Sequence, residues 1–413
     1  MMNIAFDSAT VSVGAAWAIF LGTYAVVAFG KLPGTKLDRT AAATIGAILM
    51  FAFRVVTPST GIASIDYATI VLLFSMMLIV AGLHLSGFFE WIAALVLRHV
   101  HDRHLLPAVI FASGLLSAFL VNDVVCLFMV PLVLNISARF KREPVPLLLA
   151  LATASNIGSA ATITGNPQNI LIGSLSRIPY TTFLARLGPI ALAGLFIDWA
   201  VIHWVYERRR RKTAAVPVPH QEVSAPRTHV RWPLLVMTGV LVAFLLGVAP
   251  PLAAATGAAL MLLGRYIDRE KIFEEVDWSL LVLFIGLFLV IGGAEQAGIA
   301  ERLLRIFEWG NLSSPLALSA AVVALSNLVS NVPAVMLLKN LPESTPDPSR
   351  TWMLLSLVST LAGNLTITGS VANIIVVEKS RSSAPIAFTE YLRVGVPVTV
   401  LTIGVGLAWL LLT

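Results

Sequence analysis

Thr162-Ile163-Thr164-Gly165-Asn166-Pro167-Gln168-Asn169 is polar, carries Gly and Pro, and has apolar sequence on both sides. A second copy follows at Thr366-Ile367-Thr368-Gly369-Ser370-Val371-Ala372-Asn373, which repeats Thr-Ile-Thr-Gly and places an Asn at the same position. One such stretch reads as an ordinary kink. Two of them, about half a chain apart in membrane-grade segments, form the pattern of a transporter with paired broken helices. The residues predict a secondary transporter of two inverted halves, with the solute site between the breaks.

The composition fits a chain that lives in lipid. Of 413 residues, 57% are hydrophobic and 12% charged, with mean hydropathy +0.87; soluble domains carry about 25% charged residues. Long apolar runs recur, which predicts an all-α polytopic membrane protein. A β-barrel would show short alternating strands instead. The net charge of +6 does not point to nucleic acid, because Arg and Lys cluster between apolar runs as cytoplasmic loops do. A single cysteine, Cys126, excludes an intramolecular disulfide and any Cys-rich metal site. Met1 to Thr10 hold no Lys or Arg, so the basic region of a signal peptide is missing and the first apolar run is expected to be retained.

In chain order, spans are expected near 11–30, 41–57 and 66–83, followed by an amphipathic surface helix over 85–100. The segment 105–138 is too long for one straight span of ~20 residues and short for two. Basic residues flank both its ends, so it reads as a re-entrant hairpin with Asn122-Asp123 at the tip. A broken helix over 146–176 and a span over 187–206 follow, then Arg208-Arg209-Arg210-Arg211-Lys212, the strongest cytoplasmic signal in the chain. Residues 212–231, with three prolines, read as a cytoplasmic linker between a first repeat, 1–211, and a second, 232–413.

The second half repeats the order. Spans fall near 232–249 and 251–264, and Val276-Asp277-Trp278 opens another as Ile65-Asp66-Tyr67 does. A surface helix over 295–309, a hairpin over 315–340 with Ser330-Asn331 near its tip, a broken helix over 352–378 and a last span over 394–411 complete it. The expected architecture is ten transmembrane helices plus two re-entrant hairpins in two inverted five-helix repeats, each with a broken helix. Five spans per half is an odd number, so the copies face opposite ways. The Lys and Arg bias puts both termini outside a cytoplasmic (inner) membrane.

Breaking a helix inside a bilayer strands backbone groups, which is tolerable where they bind something. Asn166 is placed at an N-cap and Pro167 at N1, where a missing N–H costs nothing. The new half-helix starting at Pro167 points its positive end inward and favours an anion. The preceding half-helix, ending near Gly158 or Ser159, presents carbonyls that suit Na⁺. Ser370 is the expected cap of the matching half-helix. Candidate solute ligands are Asn122, Thr164, Gly165, Asn166, Gln168, Asn331, Thr368, Gly369 and Ser370. Candidate coupling-ion ligands are Asp123, Asn122, Thr162, Asn169, Ser330, Asn331, Thr366 and Asn373. Asp123 is the one carboxylate at the four breaks, and no Arg or Lys lies at any of them; an intramembrane acid is a functional candidate by default. Capping of the returning hairpin helix is its structural alternative. Arg54, Asp198, His203 and Lys339 read as snorkelling residues near span ends.

Ser86-Gly87-Phe88-Phe89-Glu90-Trp91, Val121-Asn122-Asp123, Thr164-Gly165-Asn166-Pro167-Gln168-Asn169 and Ser330-Asn331-Val332-Pro333 resemble the ion transporter superfamily, in particular the ArsB/NhaD permeases and the related divalent-anion/Na⁺ symporters. The resemblance covers nearly the whole chain. It implies alternating access by elevator-like or rocking motion. In the divalent-anion symporters both hairpin tips read Ser-Asn-Thr; here the Asn is common to both tips, and the Asn-Asp pair is more similar to the arsenite permeases.

The main expectation is a secondary active transporter of a small inorganic or organic anion or oxyanion, coupled to Na⁺ or H⁺. A Na⁺/H⁺ antiporter and an arsenite or antimonite efflux permease are the alternatives. No cofactor is expected beyond a Na⁺ ion, and no nucleic acid partner; a homodimer is left open. An intramembrane hydrolase is disfavoured, since two facing acids and a His-Glu-x-x-His are missing.

Overall fold

The computed structural model of the chain describes residues 8–29, 37–207, 229–264, 268–299, 302 and 314–413. The basic run 208–212, most of the expected linker 212–231 and the surface helix beyond residue 299 lie outside the described residues.

The first half runs α1 (Ser8–Phe29), α2 (Arg39–Ala52), α3 (Pro58–Ser64), α4 (Tyr67–Leu85), α5 (Phe88–His99), α6 (Leu105–Phe119), α7 (Asn122–Arg139), α8 (Pro144–Ser159), α9 (Pro167–Ser176) and α10 (Tyr180–Glu207). The second runs α11 (Arg231–Leu245), α12 (Pro250–Leu262), α13 (Arg269–Glu274), α14 (Trp278–Gln296), α15 (Pro315–Val329), α16 (Asn331–Leu338), α17 (Pro348–Ala362), α18 (Val371–Ser380) and α19 (Phe388–Leu412). The protein is an all-helical, multi-pass membrane protein. Five described helices, α4, α7, α10, α14 and α19, are long and apolar enough to cross a membrane.

Local chemistry sets the boundaries. Asp66 and Asp277 cap α4 and α14, accepting from Thr69 N and Leu280 N, each at 3.0 Å; a cap of this kind contributes ~1 kcal/mol. The expected span 41–57 is shorter than the sequence suggests. It ends at Ala52, turns through Arg54 at φ 55°, and restarts as α3 behind a Thr57 capping box with Pro58 at N1. Pro58 holds Thr57 extended, the conformation that its N-cap role at the start of α3 needs.

Helices pair across the halves reciprocally. α2 packs on α14 and α4 on α12; α7 packs on α18 and α16 on α9. α10 and α19 pack on one another. The two hairpin segments are unequal. α6 and α7 have 15 and 18 residues and are joined by Leu120-Val121; α15 and α16 have 15 and 8 and are joined by Ser330 at φ 75°. α7 by itself is long enough to cross a bilayer.

Asp198, read as snorkelling, does not snorkel, and Lys339 near the end of its span has an acidic partner. Asp198 lies inside α10 and is 0% exposed. Lys339 pairs with Glu295 at 3.1 Å, and Asn340 donates to the same carboxylate at 2.7 Å.

Candidate functional site

The first break begins where α8 ends at Ser159. Gly158 lets α6 and α8 meet backbone to backbone, since a Cβ there would lie 2.0 Å from Gly114 O. The Thr162 hydroxyl donates to the Ala118 carbonyl, tying the break to α6. Asn166 is extended, and its Oδ1 accepts from Asn169 N at 2.8 Å, so α9 starts at Pro167 as the cap chemistry requires. Asn122 N donates to Gly165 O at 2.9 Å, which hangs the hairpin tip on the break.

The second break runs from Gly363 through a single turn at Ile367–Gly369 to Ser370. Ser370 holds the N-cap position of α18, but its side chain makes no cap. It donates instead to Asn156 Oδ1 at 3.0 Å. The carbonyls expected to be free for a cation are also engaged. Ser159 O and Thr162 O accept from Asn169, and Gly363 O and Thr366 O from Asn373.

An amide network joins the breaks. Asn122 Nδ2 donates to Asn156 Oδ1 at 2.9 Å, and Asn156 Nδ2 donates to Asn364 Oδ1 at 2.8 Å and Asn373 Oδ1 at 3.0 Å. Asn331, with its amide oriented to satisfy its surroundings, donates to Ser359 O at 3.0 Å and Gly369 O at 3.2 Å. Every member is buried, so each unmade bond would cost ~1–3 kcal/mol.

Beside this network lies a cavity of about 270 Å³. Asn122, Asp123, Gln168, Ser330, Asn331 and Ser370 line it, together with Pro167, Val332 and Val371. Thr162, Thr164, Gly165, Asn166, Asn169, Thr366, Thr368, Gly369 and Asn373 do not. Thr164 turns to Tyr180 Oη at 3.1 Å, and Thr368 is exposed, 3.3 Å from Thr366 Oγ1.

The cavity also takes in residues that sequence reasoning missed: Asp38, Arg39 and Thr40 at the start of α2, and Asp277 and Ser279 at the start of α14. Thr40 Oγ1 donates to Ser279 O at 3.2 Å, which holds the two helix starts together. Asp277 carried a signal as a span opener; Asp38 and Arg39 fall between the spans expected near 11–30 and 41–57. Arg39 Nε and Asn122 Oδ1 are both buried without a hydrogen-bond partner.

The geometry has one organising property. The N-termini of α2, α7, α9, α14, α16 and α18 all contribute to the cavity wall. Each helix N-terminus carries roughly +0.5 charge. Six of them, with Arg39, offset the three carboxylates and leave a slightly positive site of order one charge. Asp123 faces the Ala372 N–H in the first turn of α18. Its counterpart by repeat is Val332, so no carboxylate from that hairpin faces α9.

The profile of the citrate transporter family, CitMHS, matches residues 24–348. The silicon efflux transporter LSI3 of Oryza sativa is 29% identical, covering 92% of this chain and 93% of its own. A 46 kDa membrane protein of Mycobacterium leprae is 31% identical over 94% of this chain and 96% of its own. The putative transporter arsB of Dictyostelium discoideum is 24% identical over 90% of this chain and 86% of its own. Among solved structures, the YdaH transporter of Alcanivorax borkumensis superposes with TM-score 0.61 at 15% identity, covering 98% of this chain and 97% of that one. MtrF of Neisseria gonorrhoeae gives TM-score 0.61 at 11% identity over 99% and 95%. Both likenesses are of fold.

Proposed function

The chain belongs to the citrate transporter family, within the ion transporter superfamily, and on that premise we propose that it is a secondary active transporter of a small anion or oxyanion. Coupling is to Na⁺ or H⁺, and transport proceeds by alternating access across the cytoplasmic membrane. The observation that carries this reading is the convergence of six helix N-termini on one cavity, open on one side past Asp38, Asp277 and Ser279. Oriented N–H dipoles, with the Arg39 guanidinium beside them, favour an anion there.

The sign and size of the site narrow the solute. A net excess of order one positive charge suits a monoanion or a weakly acidic oxyacid. A tricarboxylate would need a proton or cation bound with it. The substrates named for relatives, citrate and silicon, share oxygen-rich surfaces that the amides of Asn122, Gln168 and Asn331 and the hydroxyls of Ser330 and Ser370 can bind. Asp123, opposite the start of α18, is the coupling residue in this reading. The remaining predicted ligands, Thr162, Thr164, Gly165, Asn166, Asn169, Thr366, Thr368, Gly369 and Asn373, shape the breaks that hold the site.

The reciprocal helix pairing supports two inverted repeats, 1–211 and 232–413; in this reading they hold ten spans and two hairpins, and the Lys and Arg bias of the sequence makes the linker cytoplasmic and both termini external. A second reading, a Na⁺/H⁺ antiporter, draws on the three carboxylates of the cavity wall. Proteoliposomes separate the two readings. Anion flux driven by a Na⁺ or pH gradient supports the first, and Na⁺/H⁺ exchange without anion flux supports the second.

A further inference from the structure

Asp198 sits in the middle of α10 with neither carboxyl oxygen hydrogen-bonded. α10 and α19 run antiparallel, in a register set by Ile190 against Gly406, Gly194 against Thr402 and Tyr206 against Glu390. That register puts Asp198 opposite Val398, next to Thr399. Thr399 Oγ1 and Tyr391 Oη, both on α19, are buried and likewise without partners. Thr153 of α8 lies beside Asp198, yet its hydroxyl donates to Leu149 O at 2.8 Å.

Among the described residues no cation stands at this level. Cys126 of α7 lies beside Tyr391. The charged groups on the packed elements are Arg231 on α11, Arg350 on α17, and Glu390 and Arg393 on α19; all lie within two turns of a helix end, and Glu143 precedes α8. α6 has no titratable residue. On α10 itself Arg186 lies near the start, and His203, in the last turns, is exposed. A bare carboxylate in such a place costs several kcal/mol, so its charge must be cancelled by what binds there.

We propose that Asp198 is a proton-binding site, distinct from the cavity, in which the protonated carboxyl reorients so that its O–H donates to the hydroxyl oxygen of Tyr391 or Thr399, neither of which it bonds in this structure. Binding adds one proton to one carboxylate oxygen and breaks no other bond. Tyr391 also lies beside Asn373, whose Oδ1 accepts from Asn156 at the centre of the amide network. Tyr391 is the side chain through which a proton on Asp198 would reach the second break. The link to transport rests on the permease reading; the proton site itself does not.

The test is infrared spectroscopy of the full chain in liposomes at neutral pD in Na⁺-free buffer, which needs no transported solute. Wild type should show the carbonyl stretch of a protonated carboxyl. Asp198→Asn should lose that band, Asp123→Asn should keep it, and Tyr391→Phe and Thr399→Val should shift its frequency. A spectrum unchanged in Asp198→Asn overturns the proposal. Should that variant fail to fold, a band unmoved in both hydroxyl variants overturns it equally. Absence of anion flux alongside a band that behaves as expected would sink the permease reading alone.

Discussion

Asn169 and Asn373 perform one task at equivalent points of the two halves. Asn169 Nδ2 donates to Ser159 O at 3.1 Å and Thr162 O at 3.0 Å; Asn373 Nδ2 donates to Gly363 O at 2.7 Å and Thr366 O at 3.1 Å. Each amide, one turn into the returning half-helix, closes the carbonyl end of the half-helix before it. Replacing either residue by Leu strands two carbonyls, buried except for the half-buried Thr366 O, and should destabilise the protein by about 2 kcal/mol. Thermal unfolding in detergent would show a lowered midpoint for both variants; an unchanged midpoint in both would refute the closing role.

Glycine substitutions should separate by what stands next to them. Gly158→Ala and Gly165→Ala place a Cβ 2.0 Å from Gly114 O and 2.2 Å from Ser159 O, and these backbone atoms cannot swing away. Overpacking of this kind costs about 1–3 kcal/mol, occasionally more. Gly404→Ala meets nothing within 4 Å and should stabilise its helix by up to ~1 kcal/mol. The ranking of the three midpoints checks this.

Arg39 is expected to act on solute affinity. Its Nε is buried at the cavity wall with no partner, and a hydrogen bond to a charged group contributes about 1.5–3 kcal/mol. Arg39→Gln should therefore raise KM roughly tenfold to a hundredfold, with kcat less affected, and Arg39→Lys should recover part of the loss. A KM unmoved by Arg39→Gln would remove the arginine from the binding site.

Asp123 is expected to act on coupling. Asp123→Asn keeps the shape of the tip and removes the charge facing α18. Gradient-driven flux should fall by at least an order of magnitude, while solute exchange at equilibrium persists. Loss of both would make Asp123 part of the solute site instead.

Much of this was legible in the sequence because breaks have local causes. Asn166-Pro167 specifies a helix start by cap chemistry alone, and the duplicated Thr-Ile-Thr-Gly marked both breaks. The cavity wall was less legible. Asp38, Arg39 and Asp277 are far from the breaks in sequence and reach them only because α2 crosses to α14 of the other half. Asp198 was misread for the same reason: hydropathy shows that a residue lies in a span, not whether it faces lipid or a neighbouring helix. Ser370 was placed correctly, but its hydroxyl found a tertiary partner in Asn156 rather than its own helix.

The most direct measurement is flux into proteoliposomes of citrate, arsenite and silicic acid, each under an imposed Na⁺ or pH gradient, for wild type, Gln168→Ala and Asn331→Ala. The account predicts that at least one solute is concentrated by wild type under one gradient, and that both variants lose the flux while inserting normally. Gradient-driven transport that survives both substitutions, or no transport of any oxygen-rich solute under either gradient, would contradict it.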